Sequence, residues 1–152
     1  MNYYLLQPEV PGGVSDYTRY STERYPNGAR KVLFLHIDMD GWLGGDLLEN
    51  TPCFFITERL LQAFQENGMT GYTIEEMMIT KSELFEELQP DDTLPVFTRL
   101  IPTEFVHEGV LTNDFYFSKN NSLVVSETCL QILQQFNLSI CEIELLQRGE
   151  NG

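Results

Sequence analysis

Basic residues are scarce in this 152-residue chain: nine Lys and Arg face 23 Asp and Glu, for a net charge of −14. That shortage argues against nucleic acid and anionic membrane as partners, because phosphate binding needs clustered cations. Cysteine is nearly as sparse. Cys53, Cys129 and Cys141 are too few and scattered for a disulfide framework, and their neighbours (CFFI, TCLQIL, SICEIEL) are apolar. They read as small buried hydrophobes in a reducing compartment, with the cytoplasm as the expected location. No apolar run approaches the roughly 20 residues of a membrane helix. MNYYLLQPEV lacks the charged and apolar regions of a signal peptide, so none is expected there. A nucleophile elbow of the Gly-x-Ser-x-Gly type and a phosphate-cradling glycine pattern are both missing.

What is present is a globular composition, 42% hydrophobic and 12% aromatic, which predicts one domain over residues 1–152. The charge is unevenly placed. Residues 1–34 hold four bases (Arg19, Arg24, Arg30, Lys31) and three acids, a net of +1; residues 35–152 hold five bases and 20 acids, a net of −15. A field of that sign attracts a basic protein or a metal cation. The plainer alternative is that the acids keep the chain soluble.

Periodicity predicts an α+β fold with more sheet than helix, mostly antiparallel or mixed, with two main helices. NYYLL reads as a strand, residues 11–30 as a long loop, and KVLFLHID (31–38) as one central strand. CFFI is a further short apolar run. TERLLQAFQENG follows as a helix with Thr57 at its N-cap, Leu60, Leu61 and Phe64 on one face, and Gly68 stopping it. KSELFEEL predicts a short acidic helix, and TLPVFTRLIP and GVLTNDFYFS predict strands, the latter half-buried with Phe115 and Phe117 alternating against Tyr116. SLVVSETCLQILQQFNLSICEIELL reads strand, helix, strand. Residues 54–74 and 123–143 align without a gap at an offset of 69, pairing Glu58 with Glu127, Leu61 with Leu130, Gln62 with Gln131 and Gln65 with Gln134. With Ile74 and Ile143, the last pair, that makes five identities in 21, a weak internal β-α-β duplication.

Two constellations bear on chemistry. Strand alternation places His36, Asp38 and Asp40 on one face, types that can bind a divalent metal for a small hydrolytic enzyme. Against it, the spacing matches no defined metal site, and DMDG fails the calcium-loop template where Trp42 stands. His107 has Glu108 beside it, but neighbours on a strand face opposite ways. Paired acids such as Glu75–Glu76 and Glu86–Glu87 are ordinary surface features. The second constellation is DMDGWLGGDLLENTPCFF (38–55), which holds the chain's one tryptophan among Asp38, Asp40, Asp46 and Glu49 with no base in the run. An aromatic anchor ringed by carboxylates suits a cationic cleft on a protein partner. The competing reading has Trp42 folded back over the core, with Gly41, Gly44 and Gly45 only making the turn.

YYLLQPEVPGG, DGWLGGDLLENTPCFFITERL, LPVF and SLVVSETCLQILQQFNL, in that order over most of the chain, resemble a group of bacterial immunity proteins from polymorphic-toxin and secreted-effector systems. The most specific element is Gly-Trp-Leu-Gly-x-Asp-Leu-Leu-Glu followed by Pro-Cys-Phe, here Gly41 to Glu49 and Pro52 to Phe54. The group's pattern carries an acid where this chain has Gly45. The resemblance implies a cytoplasmic, non-catalytic protein without cofactor or metal, which binds one cognate toxin and occludes it. A basic toxin such as a nuclease fits the acidic field. Asp38, Asp40, Trp42, Asp46 and Glu49 are the expected partner-binding residues. A non-toxin adaptor remains the third reading of the same features.

Overall fold

A computed structural model describes residues 1–147, so the last five residues of the expected 1–152 domain lie outside the description. The apolar runs become inner strands. In chain order the elements are β1 (Tyr3–Gln7), β2 (Gly12–Val14), β3 (Arg19–Arg24), β4 (Arg30–Phe34), β5 (His36–Met39), β6 (Leu47–Asn50), β7 (Cys53–Thr57), α1 (Glu58–Glu66), β8 (Tyr72–Glu75), β9 (Met78–Lys81), α2 (Glu83–Leu88), β10 (Phe97–Pro102), β11 (Phe115–Phe117), β12 (Leu123–Ser126), α3 (Glu127–Leu133) and β13 (Glu142–Leu145). The chain is α+β, and among the described residues no helix is long and apolar enough to cross a membrane.

Two four-stranded sheets carry the fold, in the orders β6-β7-β10-β8 and β11-β12-β1-β13. They are built alike. Each has a hairpin leading into a helix and then an edge strand, with one further strand inserted antiparallel in the middle. Leu100 of β10 lies opposite Phe54 and Ile74, and Leu6 of β1 lies opposite Leu123 and Ile143. Those two pairs of partners differ by the same 69 positions as the aligned segments. The equivalence extends to the turns before the helices. The Glu58 amide donates to the Val96 carbonyl at 3.3 Å, and the Glu127 amide to the Asn2 carbonyl at 3.0 Å. The chain thus reads as two lobes in tandem, β1-β6-β7-α1-β8 and β10-β11-β12-α3-β13, which have exchanged their first strands. Exchange ties the lobes together through main-chain ladders and leaves one apolar core between them, with Phe54, Leu60 and Phe64 meeting Leu123, Leu130 and Leu133.

The outer faces of the two sheets are covered differently. Leu48, Phe55 and Phe97 pack under a third sheet, β2-β5-β9, and under Phe85 of α2. Tyr3, Tyr116 and Val124 are covered by Leu111 and its loop. Phe115, Tyr116 and Phe117 are therefore all buried, rather than half-buried as alternation predicted, because both faces of β11 are covered. Residues 11–30 are not a loop throughout: β2 joins β5, and β3 forms a hairpin with β4. KVLFLHID is two strands broken at buried Leu35, whose carbonyl turns aside to accept the Met78 amide at 3.0 Å.

Candidate functional site

The Trp42 loop lies in the layer covering the first lobe. Residues 40 and 41 leave β5 with their amides donating to the Pro11 carbonyl, at 2.9 and 3.3 Å. Gln89, just past α2, then clamps the tryptophan's main chain. Its Oε1 accepts the Trp42 amide at 2.8 Å, and its Nε2 donates to the Trp42 carbonyl at 3.0 Å. Gly44, at φ +90°, turns the chain back so that the Gly45 carbonyl accepts the indole N–H at 2.9 Å. The half-buried ring meets Phe97 edge-on, with centroids 6.2 Å apart and planes at 89°. Trp42 is therefore partly a cover for the core, with the rest of its ring in a surface cleft.

That cleft, about 430 Å³, is lined by Trp42, Asp46, Thr57, Glu58, Arg59, Pro95 and Val96. Asp46, expected to face a partner, is 1% exposed and turned inward. Its Oδ1 accepts the Thr57 hydroxyl and the Arg59 Nε (2.7 Å); its Oδ2 accepts Arg59 Nη2 (2.6 Å) and the Asn137 amide (3.0 Å). Burial alone would raise its pKa, but the hydrogen bonds from Arg59, Thr57 and the Asn137 amide together outweigh burial and hold it below the usual value. Thr57 thus occupies the N-cap position expected of it, but its hydroxyl serves Asp46 and does not cap α1.

Asp114 repeats this arrangement in the second lobe. It accepts the Ser126 hydroxyl at 2.6 Å and the Thr70 amide at 2.9 Å. Each aspartate therefore joins the hydroxyl before its own lobe's helix to the turn after the other lobe's helix. The main chain repeats the pattern: the Asp46 amide donates to Asn137 and the Asp114 amide to Thr70. These are clasps between lobes. The signal was available in the sequence, since Asp46-Leu47-Leu48 and Asp114-Phe115-Tyr116 fall 68 positions apart, next to the aligned segments.

Glu49 is likewise inside, 7% exposed on β6, with the Thr51 hydroxyl at 3.4 Å as its polar contact. Burial pushes its pKa up to about 7. The expectation that Asp46 and Glu49 line the outer surface is therefore corrected: one is spent on a clasp and the other is packed inside. Of the five expected residues, Asp40 is exposed and Asp38 is half-exposed.

His36 and Asp38 do share a face, and both meet Thr80 of the parallel neighbour β9. His36 Nε2 lies 3.1 Å from its oxygen, and the Thr80 hydroxyl donates to Asp38 Oδ1 at 2.9 Å. Tyr17 stacks over the buried imidazole at 5.6 Å, and the buried His36 Nδ1 has no hydrogen-bond partner among the described residues. Asp40 lies past the end of β5 and does not join them. Among the described residues no three His, Cys, Asp or Glu side chains are grouped closely enough to hold a metal ion.

The residues that sequence reasoning missed lie on the segments that hold Trp42. Leu43 follows it, Leu88 precedes the Gln89 clamp, and Val96 lines the cleft; they are 61%, 67% and 68% exposed. Exposed carboxylates stand on the same segments: Asp40, Glu58, Glu87, Asp91 and Asp92. Val96 and Glu58 share the cleft with Trp42, while Leu43 is its chain neighbour and Leu88 that of its Gln89 clamp. No family model, no curated protein and no solved structure matches this chain.

Proposed function

We propose that the chain is an immunity protein, which binds a basic cognate toxin and blocks it by occlusion, without catalysis. The observation that carries this reading is the surface around Trp42. Large aliphatic groups left exposed around a half-buried tryptophan are a mark of protein interfaces, and a rim of carboxylates selects a partner of positive charge. The bias of −15 beyond residue 34 adds long-range steering, which speeds capture of an enzyme that must be stopped before it acts. Asp46 and Glu49 support the surface from within and need not touch the partner. The resemblance of the Gly41–Glu49 and Pro52–Phe54 motif to immunity proteins agrees with this role.

The test is co-purification from the source cell at low and high salt, followed by an assay of the captured protein. A basic protein whose toxicity or enzymatic activity is abolished by an equimolar amount of this chain is the expected result. A captured protein with no activity for the chain to inhibit would favour the adaptor reading. Metal held in stoichiometric amount through dialysis, and lost in His36→Ala, would favour the small hydrolytic enzyme.

A further inference from the structure

Among the described residues the last element of the second lobe is β13, an edge strand whose four residues are all exposed. The Leu146 amide donates to the Tyr3 carbonyl at 2.9 Å, and Leu5 lies opposite Glu144 and Gln7 opposite Glu142. Antiparallel alternation then directs the amides of Glu142 and Glu144 toward β1, and those of Ile143 and Leu145 outward. β13 carries no proline, lysine or bulge among its paired residues; it is guarded only by its shortness and by Glu142 and Glu144, whose charge discourages an acidic neighbour and admits a basic one. Beside it runs a shallow groove of about 340 Å³, lined by Leu5, Gln7, Glu142, Ile143 and Glu144.

We propose that this edge is a second docking site, which accepts an extended basic segment of a partner protein as an added antiparallel or parallel strand. The outward amides and carbonyls of Ile143 and Leu145 supply main-chain hydrogen bonds, and the groove between the two glutamates receives a Lys or Arg side chain. Charge decides the occupant. A second copy of this chain would bring another −14 and another pair of glutamates to the same edge, whereas a cationic strand neutralises them. The site is distinct from the surface around Trp42, and its occupancy does not depend on the partner being a toxin.

A seven-residue probe peptide alternating Lys and Val, added to the whole protein at low salt, tests this. Amide exchange at Ile143 and Leu145 should slow by about tenfold or more at saturation. The same peptide with alternate amides N-methylated, or with Glu in place of Lys, should leave both amides unchanged. Leu145→Pro removes one outward donor and should abolish the protection; Glu142→Lys with Glu144→Lys keeps the backbone intact and should exchange preference from the Lys to the Glu peptide. Binding that leaves the Ile143 and Leu145 amides unprotected, or that survives N-methylation, overturns the proposal. So does concentration-dependent protection of the same amides without peptide, since the occupant is then a second copy.

Discussion

Replacing Asp46 by Asn removes a charge while keeping the shape, and the structure says what each lost contact costs. The carboxylate accepts from the Thr57 hydroxyl, two Arg59 N–H groups and the Asn137 amide. An asparagine offers one carbonyl oxygen, so its NH2 either replaces Oδ2 and strips the Asn137 amide of its acceptor, or replaces Oδ1 and faces the Arg59 Nε–H. A buried amide left without an acceptor costs about 1–3 kcal/mol, and the bonds that remain lose their charge assistance. The sum is about 2–4 kcal/mol, which for a chain of this length lowers Tm by roughly 5–15 °C. Calorimetry of wild type and Asp46→Asn at pH 7 measures it. Substituting Arg59 by Met should cost less, because that side chain is two-thirds exposed and Asp46 keeps its other two donors. The depressed pKa gives the pH signature. Its stabilisation is present above the unfolded carboxyl range and disappears as pH falls through the lower folded value, so wild type and Asp46→Asn should converge in strong acid. A Tm drop under about 2 °C at pH 7 would refute the clasp.

Other expectations follow from the same structure. Asp114→Asn should destabilise in the same direction as Asp46→Asn, since Asp114 holds the equivalent donors without an arginine; a neutral Asp114→Asn beside a damaging Asp46→Asn would contradict the two-lobe equivalence. Glu49, raised from 4.5 to about 7, binds its proton more tightly in the folded state, so it costs stability as pH climbs through that window. Glu49→Gln should therefore stabilise the protein at pH 8, by at most roughly 3 kcal/mol, and change little at pH 5, as urea titrations at both values would show. Burial raises the thiol pKa of Cys53, Cys129 and Cys141, the last to about 11, so a thiol reagent at pH 7.5 should label the native protein slowly and the unfolded protein fast. Trp42→Phe should keep the edge contact with Phe97 and lose the bond to Gly45, costing about 1 kcal/mol by chemical denaturation.

Much of the secondary structure was legible because its causes are local. Helix α1 lies where its apolar spacing and Gly68 put it, and Gly68 takes the positive φ expected beyond a helix end. The short acidic helix and the final strand-helix-strand are also where periodicity placed them. What escaped depends on distant partners. RYSTER is polar enough to read as loop, and it is a strand only because RKVLF lies beside it. LLEN, read as part of an acidic loop, becomes β6 by pairing with β7. No local pattern reveals that β1 enters the second sheet and β10 the first, although the weak 69-residue alignment was the trace of that architecture. The site divides in the same way. Trp42 was legible as both cover and surface, and the structure assigns part of its ring to each. Asp46 and Glu49 read as outward because acids usually are; the donors that bring Asp46 inside lie 13 and 91 positions away.

The central claim is that this chain neutralises a basic protein through the surface around Trp42. Its most direct test compares wild type with Leu88→Arg/Val96→Arg, two exposed positions whose substitution leaves the core intact, in titrations of the co-purified protein's activity. Tight, salt-sensitive inhibition by wild type is expected, with a loss of at least about a hundredfold in affinity for the variant, the effect of setting two bulky cations in an apolar patch that meets a basic partner. Equal inhibition by both proteins, with the variant's Tm unchanged, would contradict it.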